Sequence, residues 1–385
     1  MYQEQDLAAD TVRFWHELAG RKLFDQVLLV TTAKETPPQQ GVTTRDLVEA
    51  ELARLAADPD DIALLHCEQV TRFRASQLNL AVEHARSRFA SEAGDPANIW
   101  IGVYNADSRP SAETFIELAD QVATEQHVRL FQQLVDYVVP TRGDVELAAV
   151  GNSVLQTWWT MAHYVNRNRR GYPGDSMWSR TAPYSTFGHG EFARLDFLDH
   201  IGGFPDFAYA DGLLLGWIAR LAAEPIGLLA ARDVAEVPRS AKDLFTQQSA
   251  WLRGLLNFDA TVRWCREQGV LRLSAAEVRL LQAQHLAIPV TWGLSTAALA
   301  AGIVTLSRRV VRGEASLLDL VALGGLVTYP VIPALLPTAG QHRTMAVFQR
   351  IVGTLTSWPV EGLALWPALR AHLRREQQAP AKTPR

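Results

Sequence analysis

The stretch at 99–110, IWIGVYNADSRP, places a carboxylate, that of Asp107, just after a short apolar run. The run is rich in β-branched and aromatic residues, which is typical of a buried parallel strand, and Pro110 ends it. A carboxylate just past the carboxyl end of such a strand lies where open α/β sheets bind their ligands. Asp107 is therefore a candidate ligand for a divalent cation. A strand followed by an ordinary turn that uses Asn and Asp explains these residues equally well.

Four further short patterns carry side chains that can do chemistry. In chain order they are RASQLN at 74–79, GGFP at 202–205, AD at 210–211 and QQSAWLRG at 247–254. An arginine can bind a phosphate through two parallel hydrogen bonds, an aspartate can act as a general base, and an aromatic ring can pack against a sugar. Taken singly, each pattern is explained as well by a surface charge, a helix N-cap or a core side chain.

The elements that must position these residues alternate between strands and helices. The apolar run DQVLLVTT at 25–32 predicts the first strand, and its polar end, with Thr32 and Glu35, can contact a nucleotide or form a plain loop. Helices are predicted at 6–20, 43–57, 74–88 and 111–126, and further strands at 62–65, 99–104 and within 128–139. This order predicts an α/β fold with a doubly wound, mostly parallel sheet and helices on both faces.

After residue 146 the pattern changes. The segment at 147–163 is apolar and aromatic and runs into the basic NRNRRG at 166–171, which fits either a helix at a membrane interface or a packed helix with a solvated end. A loop rich in Gly, Pro and Ser follows at 171–186. The residue pattern of GHGEF at 188–192 predicts no particular function. Helices are predicted at 211–222 and 245–256, and a strand at 225–230.

Three apolar runs dominate the last hundred residues. Residues 286–306 form an apolar run without a charged residue, and its length is enough to cross a bilayer. Arg308 and Arg309 follow shortly after it. The run at 320–336 is shorter, and the run at 351–369 is interrupted by prolines and favours an interfacial or re-entrant segment. A buried helical hairpin is the alternative for all three. The expected domains are an N-terminal helix at 1–24, a sheet domain at 25–280, membrane-associated helices at 281–370 and a polar tail at 371–385.

Composition argues against several other classes of protein. The formal net charge of -4 over 385 residues argues against a general nucleic-acid binder. Two cysteines, Cys67 and Cys265, do not make a disulfide framework or a zinc site. The opening MYQEQDLAAD is polar and acidic, unlike a secretory signal.

Taken together, the patterns resemble the inverting family 2 glycosyltransferases, which combine a GT-A catalytic domain with membrane helices and include the cellulose and hyaluronan synthases. The motifs of that family and their counterparts here are Lys-Ala-x-x-Leu-Asn at 74–79, Asp-x-Asp at 105–107, Gly-Gly-Phe-Pro at 202–205, the acidic pair at 210–211 and Gln-x-x-Arg-Trp at 247–251. The resemblance covers residues 25–256 and the apolar runs that follow.

The resemblance implies transfer of a sugar from a nucleoside-diphosphate sugar to an acceptor hydroxyl, with inversion. It implies Mg²⁺ or Mn²⁺ held by Asp107 to neutralise the diphosphate, and Asp211 as the general base. The implied donor-binding residues are Thr32, Glu35, Arg74, Asn79, Asn105 and Asp107. The implied acceptor-binding residues are Gly203, Phe204, Gln247, Trp251 and Arg253. It also implies a cytoplasmic catalytic domain at the inner or plasma membrane, a glycan or lipid-linked acceptor, no nucleic acid, and either a homo-oligomer or a partner subunit.

Two residues depart from the family motifs. Asn105 stands in place of an aspartate, which removes one charge from the nucleotide or metal contacts. Ala250 stands in place of an arginine, which, with the small number of membrane segments, favours single-sugar transfer or assembly with a partner over a self-contained processive synthase. The same departures motivate an alternative, a catalytically inactive subunit that binds a partner and assists it in glycan assembly. A nucleotidyltransferase is a further alternative, but the segment TTAKETPP at 31–38 lacks the glycines of a phosphate-binding loop.

Overall fold

The computed structural model describes residues 4–35, 41–70, 73–141, 143–171, 176–208, 210–335 and 345–374. The predicted polar tail lies outside the described residues from position 375 onward. Two compact units divide the chain. The first comprises 1–135, 168–234 and 257–278, and the second comprises 136–167, 235–256 and 279–385.

The structure contains six strands and sixteen α-helices within the described residues. The strands are β1 (Val27–Thr32), β2 (Ile62–Cys67), β3 (Trp100–Val103), β4 (Leu130–Val138), β5 (Glu191–Arg194) and β6 (Gly227–Glu236). The helices up to residue 221 are α1 (Gln5–Ala19), α2 (Thr44–Leu55), α3 (Arg74–Ala93), α4 (Ala112–Thr124), α5 (Leu147–Trp158), α6 (Val165–Gly171), α7 (Met177–Arg180), α8 (Leu195–Ile201) and α9 (Asp211–Leu221). The later helices are α10 (Ala241–Leu255), α11 (Phe258–Glu267), α12 (Ala275–Val311), α13 (Leu317–Thr328), α14 (Ile332–Leu335), α15 (Val347–Leu363) and α16 (Leu365–Leu373). Short 3₁₀ segments cover Pro96–Asn98 and Tyr329–Val331, and a π-helical segment covers Trp159–Tyr164.

The first two strands form the parallel pair that their alternation with helices predicts. In β1 and β2, Val27 lies opposite Ile62 and Thr32 lies opposite Cys67. The crossover contains α2, which begins with a capping box between Thr43 and Asp46. The apolar core beneath comprises Ala8, Val12, Trp15, Leu18, Leu29, Val48 and Ile62. The α/β class is therefore confirmed.

The remaining strands form a four-stranded sheet in the order β3-β5-β4-β6. β5 runs antiparallel to both β3 and β4. The prediction of a mostly parallel sheet is therefore wrong for this sheet. The four residues of β5 are too few to show an alternating pattern, and the first three of them are buried, so the sequence gives no sign of the inserted strand.

The second unit is helical and contains α5, α10, α13 to α16 and most of α12. α5 packs on α15 through Gly151 and Gly353, whose backbones touch, so that neither position has room for a β-carbon. α10 packs on α16 around a small apolar core that includes Leu252, Leu365 and Ala368. These contacts make α10 part of the helical unit.

The side chains of α15 have an inverted distribution. The buried polar residues recur every three or four positions on one face and are Arg350, Thr354, Ser357 and Glu361. The exposed residues include Phe348 at 75%, Leu355 at 42% and Leu363 at 53% of full exposure. A helix at the surface of a water-soluble domain has its apolar face inside and its polar face outside, so α15 reverses that pattern.

α12 is the one helix within the described residues that is long and apolar enough to cross a membrane, judged by length and composition. Its apolar side chains Val290, Leu294 and Val304 are about half exposed. The two later apolar runs form shorter helices, with α13 in the first run and α15 and α16 in the second.

Candidate active site

Three local features of the first unit present the polar side chains of the site. Arg74 is the first residue of α3. Asn105 follows β3 in a turn that the Ser108 amide closes by donating to the Asn105 carbonyl at 3.1 Å. Asp211 opens α9, directly after Ala210, whose left-handed backbone (φ 64°) turns the chain into the helix. Three different parts of the fold thus supply the guanidinium of Arg74, the amide of Asn105 and the carboxylate of Asp211.

The Arg74 guanidinium joins these three elements. Its Nε and Nη2 both donate to Asp211 Oδ2, at 3.0 and 2.7 Å. Its Nη1 donates to Asn105 Oδ1 at 2.8 Å, and Nη2 also donates to the Gly188 carbonyl at 2.6 Å. A guanidinium has five N–H groups, and the described residues accept from four of them. Both bonds to the carboxylate fall on Oδ2, which leaves Asp211 Oδ1 outside the ion pair.

The electrostatic environment stabilises this ion pair. Burial alone would lower the pKa of Arg74, but the charge and hydrogen bonds of Asp211, together with the charge of Glu191, raise that pKa above its ordinary value. The Asp211 side chain is 12% exposed and the Arg74 side chain 35% exposed. Arg74 therefore stays cationic at every physiological pH, and Asp211 has a permanent counter-ion.

The segment that joins β5 to the preceding loop runs along the start of α9. The backbones of Gly188 and Gly212 touch, and a β-carbon on Gly212 would collide with Gly188. Gly188 has a left-handed backbone (φ 82°), and the Thr186 hydroxyl donates to the Gly212 carbonyl. The glycines are needed here because the loop carbonyl must reach the guanidinium while the loop lies against the helix.

Asp107 lies in the same turn as Asn105 and is 5% exposed. Within the described ranges, no group of three or more His, Cys, Asp or Glu side chains is arranged to hold a metal ion. Magnesium in enzymes that act on phosphates is commonly held by only one or two carboxylates together with substrate oxygens. Asp107 could hold such a cation only if substrate oxygens completed the coordination.

Two buried groups of the site had no signal in the sequence beyond the unexplained run GHGEF. His189 Nδ1 lies 3.0 Å from Asp233 Oδ2, and Asp233 Oδ1 accepts a hydrogen bond from the Arg109 amide at 2.9 Å. These contacts tie β6 to the turn that carries Asp107. The second group is Glu191, which is fully buried on β5. His189 has no sequence neighbour that marks it, since its partner Asp233 is 44 positions away. The role of Glu191 depends on Arg74 and Asp211, which belong to other motifs.

Two predicted donor-binding residues contact the protein itself. The Thr32 hydroxyl accepts a hydrogen bond from the Lys34 amide at 3.2 Å. Glu35 Oε1 accepts from the amide and the hydroxyl of Thr44 at 3.1 and 2.8 Å, and also from Gln5. Glu35 thus holds the first turn of α2, where a carboxylate is favoured by the helix dipole.

Asn79 ties α3 to the loop after α8. Its Nδ2 donates to the Phe204 carbonyl at 3.0 Å, and its Oδ1 accepts from the Phe204 amide at 2.7 Å. Gly203 has a left-handed backbone (φ 90°), and a β-carbon there would collide with the Asn79 side chain. The side chain of Phe204 is buried. Asn79, Gly203 and Phe204 therefore form one structural joint.

The predicted acceptor-binding residues are divided between the two units. Gly203 and Phe204 belong to the first unit, and Gln247, Trp251 and Arg253 belong to the second. Within α10, Gln247 is buried at 8% exposure and Trp251 is 41% exposed. Gln247 Oε1 accepts no hydrogen bond from the part of the chain that the structure describes.

The chain resembles a solved structure in fold over nearly its whole length. It is similar in structure to the mannosyltransferase PcManGT from Pyrobaculum calidifontis in complex with GDP-Man and Mn2+, with a TM-score of 0.53. The alignment covers 98% of this chain and 86% of that chain, at 15% sequence identity, so the likeness is one of fold. No protein-family model and no curated protein sequence matches the chain.

Proposed function

We propose that the protein transfers a sugar from a nucleoside-diphosphate sugar to an acceptor hydroxyl, with inversion at the anomeric carbon. The observation that carries the proposal is the direct hydrogen bonding of Arg74 to Asn105 and Asp211. These three residues come from three separate sequence motifs that imply the same chemistry. The likeness in fold to a mannosyltransferase bound to GDP-Man supports a nucleotide-sugar donor.

In the proposed reaction Asp211 is the general base. The acceptor oxygen attacks the anomeric carbon, the bond from that carbon to the diphosphate breaks, and the hydroxyl proton passes to the Asp211 carboxylate. Oδ2 is held by Arg74, so Oδ1 is the oxygen free to take the proton. Attack from the face opposite the leaving group inverts the centre.

In this scheme the main role of Arg74 is to hold other residues of the site in place. Four of its five N–H groups already donate to Asp211, Asn105 and Gly188, so that, counted over the described residues, at most one could donate to a phosphate oxygen. The bidentate phosphate contact that the motif implies would require breaking the ion pair. We therefore assign Arg74 the role of orienting the base, with a secondary contribution of positive charge toward the leaving group.

Asp107 would hold Mg²⁺ or Mn²⁺ together with the diphosphate. A divalent cation supplies positive charge to the oxygens that become more negative as the leaving group departs. Asp107 is the carboxylate of the turn that follows β3, and its chemistry suits this task. Within α10, Gln247, Trp251 and Arg253 are proposed as acceptor contacts, and the exposed face of Trp251 is suited to pack against a sugar ring.

The proposed activity is tested by release of nucleoside diphosphate from purified protein. With Mn²⁺ or Mg²⁺ present, one of a panel of nucleotide sugars that begins with GDP-Man and UDP-glucose should be turned over. EDTA should lower the rate at least about tenfold, because the leaving diphosphate loses its counter-charge, and added metal should restore it. Asp107→Asn should reduce the response to metal. No turnover with any donor and either metal would favour the inactive partner-binding subunit.

We further propose that the helical unit contacts a membrane, with the catalytic unit on the cytoplasmic side. The length and composition of α12 support this, and so does the inverted polarity of α15. A helix that faces lipid has an apolar outer side, and polar groups within a membrane bundle point inward.

Membrane contact is tested by fractionation. The protein should sediment with membranes, resist extraction with alkaline carbonate and dissolve in mild detergent. Replacing Phe348, Leu355 and Leu363 together by serine should weaken retention, because these exposed side chains would contact acyl chains. Thr356→Ser on the same helix is the control and should have no effect. Full recovery of folded wild-type protein in buffer without detergent would contradict the proposal.

A further inference from the structure

Glu191 is a buried carboxylate that the proposed reaction does not use. It is the first residue of β5, where it lies opposite Val103 of β3 and Gln132 of β4, and it is fully buried. Neither of its carboxylate oxygens accepts a hydrogen bond from the described residues. The nearby Thr186 hydroxyl acts to lower the pKa of Glu191, but it donates its one proton to the Gly212 carbonyl. A buried carboxylate without donors is costly when ionised, so its presence calls for an explanation.

The charged groups around Glu191 are those of the candidate site. Arg74 and His189 attract a negative charge there and Asp211 repels it, while Asp233 pairs with His189. Burial, followed by the charge of Asp211, raises the pKa of Glu191 to about 7. Arg74 makes two hydrogen bonds to Asp211 and none to Glu191 among the described contacts. The charges of two carboxylates thus act on the Arg74 guanidinium, which is hydrogen-bonded to Asp211 and not to Glu191 among the described contacts.

We propose that Glu191 is a positioning residue that acts through Arg74, leaving the guanidinium on Asp211 while it is a neutral acid and competing for it once it is ionised. The inference rests on the proposed function only in taking Asp211 as the base. When the surroundings of two nearby carboxylates give them different pKa values, one is commonly protonated while the other is ionised.

The first test needs no enzyme activity and compares the melting temperature of wild type and Glu191→Gln from pH 4 to 8. The pKa of Glu191 in the folded protein, about 7, exceeds the ordinary value of about 4.3 for an unfolded chain. The folded state therefore binds this proton more tightly, and its stabilising effect is full at low pH and is lost as the pH rises to about 7. Between about pH 4.3 and pH 7, the wild-type melting temperature should fall relative to that of Glu191→Gln. Above about pH 7 the difference between the two melting temperatures should stay constant.

Two variants complete this measurement. Glu191→Leu is the second neutral replacement, in case the glutamine variant does not fold, and should give the same pH dependence relative to wild type. Glu113→Gln removes an exposed carboxylate of α4 in the same unit and should leave the difference from wild type flat between pH 5 and 7. A flat difference for both Glu191 variants would overturn the proposal.

The second test asks whether Glu191 acts through Arg74 and Asp211. In an Asp211→Asn background, Arg74 loses its anionic partner and Glu191 loses its repelling neighbour. Both changes favour the ionised form of Glu191. In this background, the melting-temperature difference between the proteins with and without Glu191→Gln should therefore have its midpoint at a pH lower by at least about one unit. An unchanged midpoint would overturn the positioning role, whether or not the protein turns over any donor.

The third test applies to the donor found by the turnover screen. Wild-type kcat/KM should fall about tenfold for each pH unit above 7, as the ionised form of Glu191 accumulates. Glu191→Gln should lose that alkaline fall, because the amide stays neutral at every pH. The same alkaline profile in both proteins would overturn the proposal. Absence of any turnover, with the melting results as expected, would overturn the proposed function and leave the coupling of Glu191 to Arg74 and Asp211 supported.

Discussion

Asp211→Asn should lower kcat by about 10²- to 10⁴-fold, the range that a positioned general base contributes. An amide cannot take the acceptor proton, but its oxygen can still accept the hydrogen bonds that Arg74 donates to Oδ2. The start of α9 should therefore keep its place, and donor affinity should change little. Steady-state kinetics and a thermal-shift titration with the donor measure the two quantities separately.

The control for this variant is Asp120→Asn, which changes an exposed carboxylate on α4 in the same unit. It should leave kcat and donor affinity within about twofold of wild type, as expected for a surface substitution. A large loss of donor affinity in Asp211→Asn, with kcat preserved at saturation, would mean that Asp211 binds the donor and is not the base. An unchanged kcat/KM would remove Asp211 from the mechanism altogether.

The second large effect is expected at Arg74. Arg74→Lys should lower kcat/KM by about 10²- to 10³-fold, comparable to the loss of a preorganised donor in an active site. A lysine ammonium is a single point of charge, whereas the guanidinium reaches Asp211, Asn105 and Gly188 at the same time. The loss should appear mainly in kcat, because the base is no longer oriented toward the acceptor.

Arg74→Met separates orientation from stability. The methionine leaves the Asp211 carboxylate, which is 12% exposed, without its counter-ion. Breaking a fully buried pair costs about 3–5 kcal/mol. Since the Arg74 side chain is about one-third exposed, water offsets part of that cost, and we expect about 1–3 kcal/mol by urea unfolding. Arg86→Met, which removes a surface arginine paired with Asp199, should cost less than about 1 kcal/mol. Equal costs for the two variants would contradict the structural role of Arg74.

The geometry also gives a reason for Asn105, the departure that casts most doubt on activity. Its Oδ1 accepts a hydrogen bond from Arg74 Nη1. An aspartate there would make the same bond but would add a third carboxylate around one guanidinium, beside Asp211 and Glu191. Asparagine keeps the contact and leaves the charge of Arg74 on Asp211. The substitution is therefore compatible with an active base.

The candidate site was only partly predictable from the sequence. Short motifs pointed to Arg74, Asn105 and Asp211, because each motif couples a residue type to a recognisable local turn or helix start. The motif at 74–79 and the polar end of the first strand also pointed to Asn79 and Glu35 as donor ligands, and in the structure these side chains bond to Phe204 and Thr44. A polar residue at a strand or helix end has the same local pattern in either role, so only its neighbours in space distinguish them.

What the sequence determined by itself is local. Alternating apolar runs, caps and breakers specify the helices and strands, including the crossover helix between β1 and β2, since these depend on residues a few positions apart. The tertiary structure alone decided the partners of β5, the burial of Glu191 in the site, and which side of α15 faces inward. The polar residues of α15 recur at helical spacing in the sequence, but a period identifies a face without saying what that face meets. Pairing and burial depend on contacts between residues far apart in the chain, and those contacts exist only in the folded protein.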